Sequence, residues 1–155
     1  MLDAIINNRT VMLIDDDVWT YRNNGRGEWW QNIKGRVNAK TRYRDYKIAG
    51  KYVAGHRLIY KLHNPEWDIE DNSKTNVIDH IDNNRINNNI ENLRVVTMSQ
   101  NQWNRKAKGY YWNKKGKFWQ AQIGLNGKRR GLGTFKTEEE ARQCYLDAKK
   151  KYHTI

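Results

Sequence analysis

The segment Phe118–Leu125, Asn126-Gly127, Lys128–Phe135 limits the fold more than any other part of this chain. Two strand-like runs are joined by two residues that both tolerate positive φ, the signal of a tight antiparallel hairpin. Gly109-Tyr110-Tyr111-Trp112 supplies a further strand ahead of it, and Thr137 followed by Glu138, Glu139 and Glu140 starts a helix behind it. A hydroxyl cap and three acids suit the positive end of a helix dipole. Ala141, Cys144, Tyr145, Ala148 and Tyr152 recur at three- and four-residue spacing, so one face of that helix packs. Alternation on the middle strand sends Trp119, Ala121 and Ile123 towards the helix and Phe118, Gln120 and Gln122 away from it. Residues 109–155 are expected to be a three-stranded antiparallel sheet packed on one helix. Cys144, on the packing face, reads as a small buried thiol.

Composition narrows the class. Only 37% of the 155 residues are hydrophobic, so one large core is out of reach. No run approaches the ~20 apolar residues of a membrane helix, and the first residues lack a secretory leader. The single cysteine excludes an internal disulfide and a Cys-built zinc site. A cytoplasmic, non-membrane protein is expected. Its formal net charge of +12 is concentrated: residues 105–155 hold 14 Lys and Arg against four acids. Such a concentration marks a polyanion-binding module, because neutralising phosphates releases counterions. Residues 105–108 read as a basic link.

Residues 1–55 read as a small β-rich part. Val11–Ile14 and Val18–Tyr21 are strands around an acidic turn, and Tyr46–Val53 is a hairpin turning near Gly50. For Trp29-Trp30 the expected role is packing in a small core. A helix begins close to His56, with Leu58, Ile59 and Leu62 at helical spacing, and stops before Pro65. Val77–Ile81 is a short strand ending in Asp79 and His80. An Asn-rich loop, a second strand at Leu93–Thr97 and a capped helix starting at Thr97-Met98-Ser99-Gln100 follow.

Hydrolysis of a phosphodiester needs an activated water and compensation for the charge that develops on phosphorus and on the leaving oxygen. Imidazole titrates near neutrality, so His80 suits the first task. A carboxylate with an amide oxygen suits a hard cation such as Mg²⁺, which is what Asp79 and Asn101 would offer if the helix returned beside the strand. The text Val77-Ile78-Asp79-His80-Ile81-Asp82-Asn83-Asn84-Arg85-Ile86-Asn87-Asn88, then Ile90-Glu91-Asn92-Leu93-Arg94 and Ser99-Gln100-Asn101-Gln102, resembles the HNH (His-Me finger) nucleases of the phage and intron homing type. His56-Arg57-Leu58-Ile59 resembles the lead-in to that motif. The resemblance implies a ββα-metal unit at 56–104. In it His80 is the general base, Asp79 and Asn101 are ligands of Mg²⁺ or another divalent ion such as Mn²⁺, and Asn92 holds the loop that orients His80. It also implies products with a 5′-phosphate and a 3′-hydroxyl. His56 is expected to pack rather than ligate, and Arg94 either reaches a phosphate or is solvated.

Residues 108–153 are similar to the APETALA-type DNA-binding domain of plant ethylene-response factors, through Gly109–Trp112, Gly116–Ile123 and Leu132–Ala141. That resemblance implies a sheet laid in the major groove of double-stranded DNA. Gln120 and Gln122 would read base edges, and Arg129 a guanine or phosphate. Lys108, Tyr111, Asn113, Lys115, Lys117 and Phe118 would line the same side or its rim. The chain as a whole is expected to be α+β and to act as a monomeric, site-directed DNA endonuclease. Its rivals are a DNA-binding regulator with a vestigial nuclease unit and a nonspecific nuclease.

Overall fold

Pairs of residues with positive φ shape the first sheet. Asn7 (50°) and Asn8 (59°) turn β1 (Leu2–Ile6) into β2 (Arg9–Ile14), and Asp15 (46°) and Asp16 (64°) turn β2 into β3 (Asp17–Asn23). Two consecutive left-handed residues give the turn whose twist matches a hairpin, and Asn and Asp enter that region more easily than other side chains. With β4 (Glu28–Asn32) these strands make one antiparallel sheet in the order β1-β2-β3-β4. A second antiparallel sheet joins β5 (Arg36–Val37), β6 (Arg44–Ile48) and β7 (Lys51–Ala54), with Ala49 (47°) and Gly50 (84°) at its hairpin turn.

The computed structural model describes residues 2–105, 107–125 and 127–154. The chain divides into two units, Met1–Val95 and Val96–Ile155. In the first, α1 (Gly55–His63) carries Leu58 and Leu62, both fully buried, onto one core with Ile6, Val11, Val18 and Ile48. Ile78 and Leu93 belong to the same core, so the N-terminal strands and the segment bearing Asp79 share one hydrophobic centre. Each fully buried aliphatic side chain of this kind contributes about 1.5–3 kcal/mol. The helix ends at His63 with Asn64 as its C-cap, one residue before Pro65.

The Trp29-Trp30 pair departs from the expectation. Both rings lie on β4, at the sheet edge, and are 45% and 39% exposed, outside the core. Trp30 instead sets its ring edge-on to Tyr21, with centroids 5.4 Å apart. The core had already been filled by smaller aliphatic side chains from β2, β3 and α1.

β8 (Val77–His80) and β9 (Leu93–Val96) form a two-stranded sheet, joined by the Asn-rich loop and a 3-10 turn at Ile90–Asn92. α2 (Met98–Asn104) follows in the second unit, where Thr97 and Gln100 close the expected capping box. In that unit β10 (Tyr110–Asn113), β11 (Phe118–Leu125) and β12 (Lys128–Phe135) form an antiparallel sheet in sequence order. α3 (Glu138–Tyr152) packs across it, and Ala121, Ile123, Ala141, Tyr145 and Ala148 are the buried centre. Thr137 and Glu140 cap α3 reciprocally. Gly109 is fixed by packing, because a Cβ there would overlap the Tyr145 ring, and by its φ of 70°. Cys144 is half-buried, less covered than its place on the helix face suggested. Asn126 of the expected Asn-Gly turn and Lys106 of the expected link lie outside the described residues. The protein is thus mixed α/β and largely β, and among the described residues no helix is long and apolar enough to cross a membrane.

Candidate active site

Asp79 and His80 end β8 and are 4% and 5% exposed. Successive strand residues leave on opposite sides, and the two side chains meet different partners. The guanidinium of Arg94 on β9 donates to Asp79 Oδ2 from Nε (3.1 Å) and Nη2 (2.9 Å). Arg94 thus holds a carboxylate, a role outside both readings of the sequence, with its side chain 28% exposed. His80 Nε2 lies 3.0 Å from Asn88 Oδ1. An amide oxygen only accepts, so in this contact Nε2 is the donor.

Two rings border the imidazole of His80. His56 stands edge-on to it at 5.2 Å, and Tyr43 stacks on His80 at 5.8 Å and lies tilted against His56 at 4.6 Å. His56 packs, as expected. Burial first, then the positive charge of His80 and Arg57, lowers its pKa to about 3, so it stays neutral at ordinary pH. Gly55 opens α1 at a point where a Cβ would come within 2.7 Å of both Arg44 O and Asn88 Nδ2. Glycine there allows the Asn88 amide to approach His80 across the start of the helix.

The asparagines of the loop are mostly scaffolding. Asp82, Asn84, Asn87 and Asn89 each accept, through side-chain oxygen, the backbone N–H two residues on. This chain of Asx turns is what the Asn run encodes. Asn92 ties it down: its Oδ1 accepts from Asp82 N (3.0 Å), and its Nδ2 donates to Asp82 Oδ1 (3.0 Å) and Asn87 O (2.9 Å). These bonds fix the loop beside Asn88, the residue that meets the ring. Asn88 and Tyr43 were not singled out in the sequence. The first is hidden in a run of like residues, and the second comes from a loop with no motif of its own.

Residues 53–103 match the family model described as HNH endonuclease. The chain is 35% identical over 97 residues to an uncharacterized HNH endonuclease, L560, of Acanthamoeba polyphaga mimivirus, covering 58% of this chain and 48% of that protein. It is also 35% identical over 60 residues to Protein 3.8 of Escherichia phage T7, covering 34% of this chain and 50% of that protein. The chain therefore spans about half the length of the curated relatives it matches, both of them viral. No solved structure matches it. The matched residues include α1, Asp79, His80, Asn88, Asn92, Arg94 and, on α2, Asn101, whose N–H donates to Thr97 O (2.9 Å).

HNH nucleases are generally dependent on a divalent metal, and the donors of this domain fit one. Among the described residues no cluster of three or more His, Cys, Asp or Glu side chains is assembled. A cation at Asp79 would have few protein ligands, all hard oxygens, and would keep several waters, which is the habit of Mg²⁺. Asp79 Oδ2 already accepts from Arg94.

The nucleic-acid candidates of the second unit divide between the two sides of its sheet. Tyr111, Gln120, Gln122 and Arg129 share the side away from α3: Tyr111 pairs with Gln120, and Arg129 lies opposite Gly124, two positions along from Gln122. Tyr111 Oη donates to Gln120 Oε1 at 2.9 Å. A bulge at Ala121/Gln122 shifts the register against β12. Lys108 lies elsewhere. It pairs with Glu138 of α3 (2.9 Å) and sits over the Tyr110 and Trp119 rings, on the helix side. Asn113 is half-buried and spends its Oδ1 on Gly116 N (3.0 Å), closing the turn that exposes Lys115 and Lys117. Phe118 folds its ring over Gly116.

Proposed function

We propose that this chain is a divalent-metal-dependent endonuclease acting on duplex DNA at chosen sites, with His80 as general base. The observation that carries this reading is a buried imidazole beside an amide oxygen, within residues that match the HNH endonuclease family model. With Nε2 protonated towards Asn88, His80 Nδ1 takes a proton from water as the oxygen attacks phosphorus and the P–O3′ bond breaks. The leaving O3′ takes up a proton from solvent water, so a 5′-phosphate and a 3′-hydroxyl result. Buried, neutral His56 and the Tyr43 ring limit how far the imidazole can turn. Asn92 acts at one remove by holding the loop.

Asp79 and Asn101 are the residues that would hold Mg²⁺ or Mn²⁺, and such an ion would offset the charge of the phosphate and the leaving oxygen. The exposed sheet side of the second unit, with Gln120, Gln122 and Arg129, would anchor double-stranded DNA in the manner of the APETALA-type domains it resembles, with Lys115 and Lys117 at the rim. The enzyme would act as a monomer in the cytoplasm of a virus-infected host.

A supercoiled-plasmid assay tests the reading. Purified protein with Mg²⁺ should give nicked or linear product, and EDTA should abolish it. His80→Ala should lose about 10²–10⁴-fold in cleavage rate and keep DNA affinity. Wild-type cleavage by His80→Ala would remove the base assignment, and no metal-dependent cleavage by the parent protein would favour the vestigial, DNA-binding alternative.

A further inference from the structure

The +10 excess of the C-terminal third hides a second accumulation of charge. Residues 34–51 hold seven Lys and Arg against one Asp, offset in the overall balance by acids before and after them. All seven cations are exposed, and among the described residues only Lys34 is in an ion pair. The segment makes β5, β6 and the turn between them, all in the first unit.

That turn is a built structure. Asn38 Oδ1 accepts from Lys40 N (3.0 Å) and Thr41 N (3.2 Å), and Arg42 N donates to Asn38 O (2.7 Å). Arg85 of the Asn-rich loop reaches across, donating to Thr41 O (2.8 Å) with its guanidinium 5.2 Å from the Tyr43 ring. Tyr43 in turn lies on His80. Between turn and loop runs a groove of about 610 Å³, lined by Val37, Asn38, Arg42, Asn83, Asn84 and Arg85 with no acid among its lining residues. The nearest carboxylates are engaged. Asp82 accepts from Asn84 N, Asn87 and Asn92, and Asp45 accepts from Asn38. Arg42 adopts φ of 61°, a conformation in which a long side chain is strained and Asn or Gly is not.

We propose that this groove seats the sugar-phosphate backbone of the strand to be cut, with Arg42 and Arg85 as its phosphate contacts. Two guanidinium groups and several amides, without a free carboxylate, make a lining suited to a polyanion and read no base. One ring, Tyr43, links it to the imidazole, so a strand in the groove passes beside His80. The inference rests on the endonuclease reading for the identity of the strand, whereas the groove's affinity for DNA is measurable without cleavage.

The test is fluorescence anisotropy of a labelled duplex with the full chain in EDTA, over a range of salt. Arg42→Asn suits the backbone and removes one charge, and Arg85→Gln keeps a donor for Thr41 O. Each should flatten the slope of log K against log salt by about 0.9 and weaken binding several-fold at low salt. Lys74→Gln, an equal charge loss at an exposed position outside the groove, should leave the slope unchanged. Wild-type slopes in both arginine variants, with circular dichroism unaltered, overturn the proposal, and so does equal flattening by Lys74→Gln. Wild-type protein that cleaves a plasmid while both arginine variants keep its slope refutes the groove alone. Wild-type protein that fails to cleave while they flatten refutes the endonuclease reading alone.

Discussion

The two units are held together in opposite ways. The second rests on small apolar contacts between neighbours in sequence: Ala121 and Ile123 of one strand against Ala141, Tyr145 and Ala148 of the helix that follows. The site of the first rests on polar contacts between stretches far apart, with Tyr43, His56, Asn88 and Arg94 converging on the last two residues of β8. A core of the first kind tolerates volume-conserving change and punishes overlap. A site of the second kind loses function when one donor is lost, while the fold survives. The same contrast holds for charge. The cations of the second unit stand on turns, sheet and helix, whereas in the first unit Arg42 and Arg85 line a groove.

Three changes sharpen that contrast, the largest effect first. Gly109→Ala should destabilise the second unit by about 3 kcal/mol, because the new methyl overlaps the Tyr145 ring and the residue must keep φ of 70°. Thermal unfolding followed by circular dichroism should show one transition moved and the other in place; a shared shift would mean that the units unfold together. Asn88→Ala should lower the cleavage rate about 10–100-fold at unchanged DNA affinity, since it removes the acceptor that fixes the His80 tautomer. Activity at the wild-type level would show that the ring is oriented by other contacts.

The smallest effect is in pH dependence. His56 has a folded pKa of about 3 against 6.5 in the unfolded chain, so the unfolded state binds more protons between those values. Its contribution to stability is complete above about pH 6.5 and falls as the pH drops towards 3. The slope is at most about 1.4 kcal/mol per pH unit. Urea unfolding of the first unit at pH 7 and pH 5 measures it, and His56→Gln should flatten the difference. An unchanged slope in that variant would assign the pH dependence to other groups.

Much of the fold is legible in the residues because it is encoded locally. Thr137 caps α3, Asp15-Asp16 turns a hairpin, and alternation on β11 sorts packing from exposed side chains. Each of these is decided within a few residues by φ preference, hydrogen bonding or period. Asp79, His80, Asn92 and Asn101 were singled out for another reason, the resemblance of their surroundings to a motif. The Trp pair misled because an aromatic residue gives no sign of whether the core has room for it.

Residue order by itself pointed to most of the strands, the capped helices and the Asn-rich loop. Tertiary structure decided that Asn88 meets the imidazole, that Arg94 neutralises Asp79, that Lys108 faces α3, and that Arg42 and Arg85 stand across a groove. Such pairings join residues up to about 45 positions apart, as Thr41 and Arg85 are. Their energies depend on distance and burial in the folded chain, which no local preference encodes.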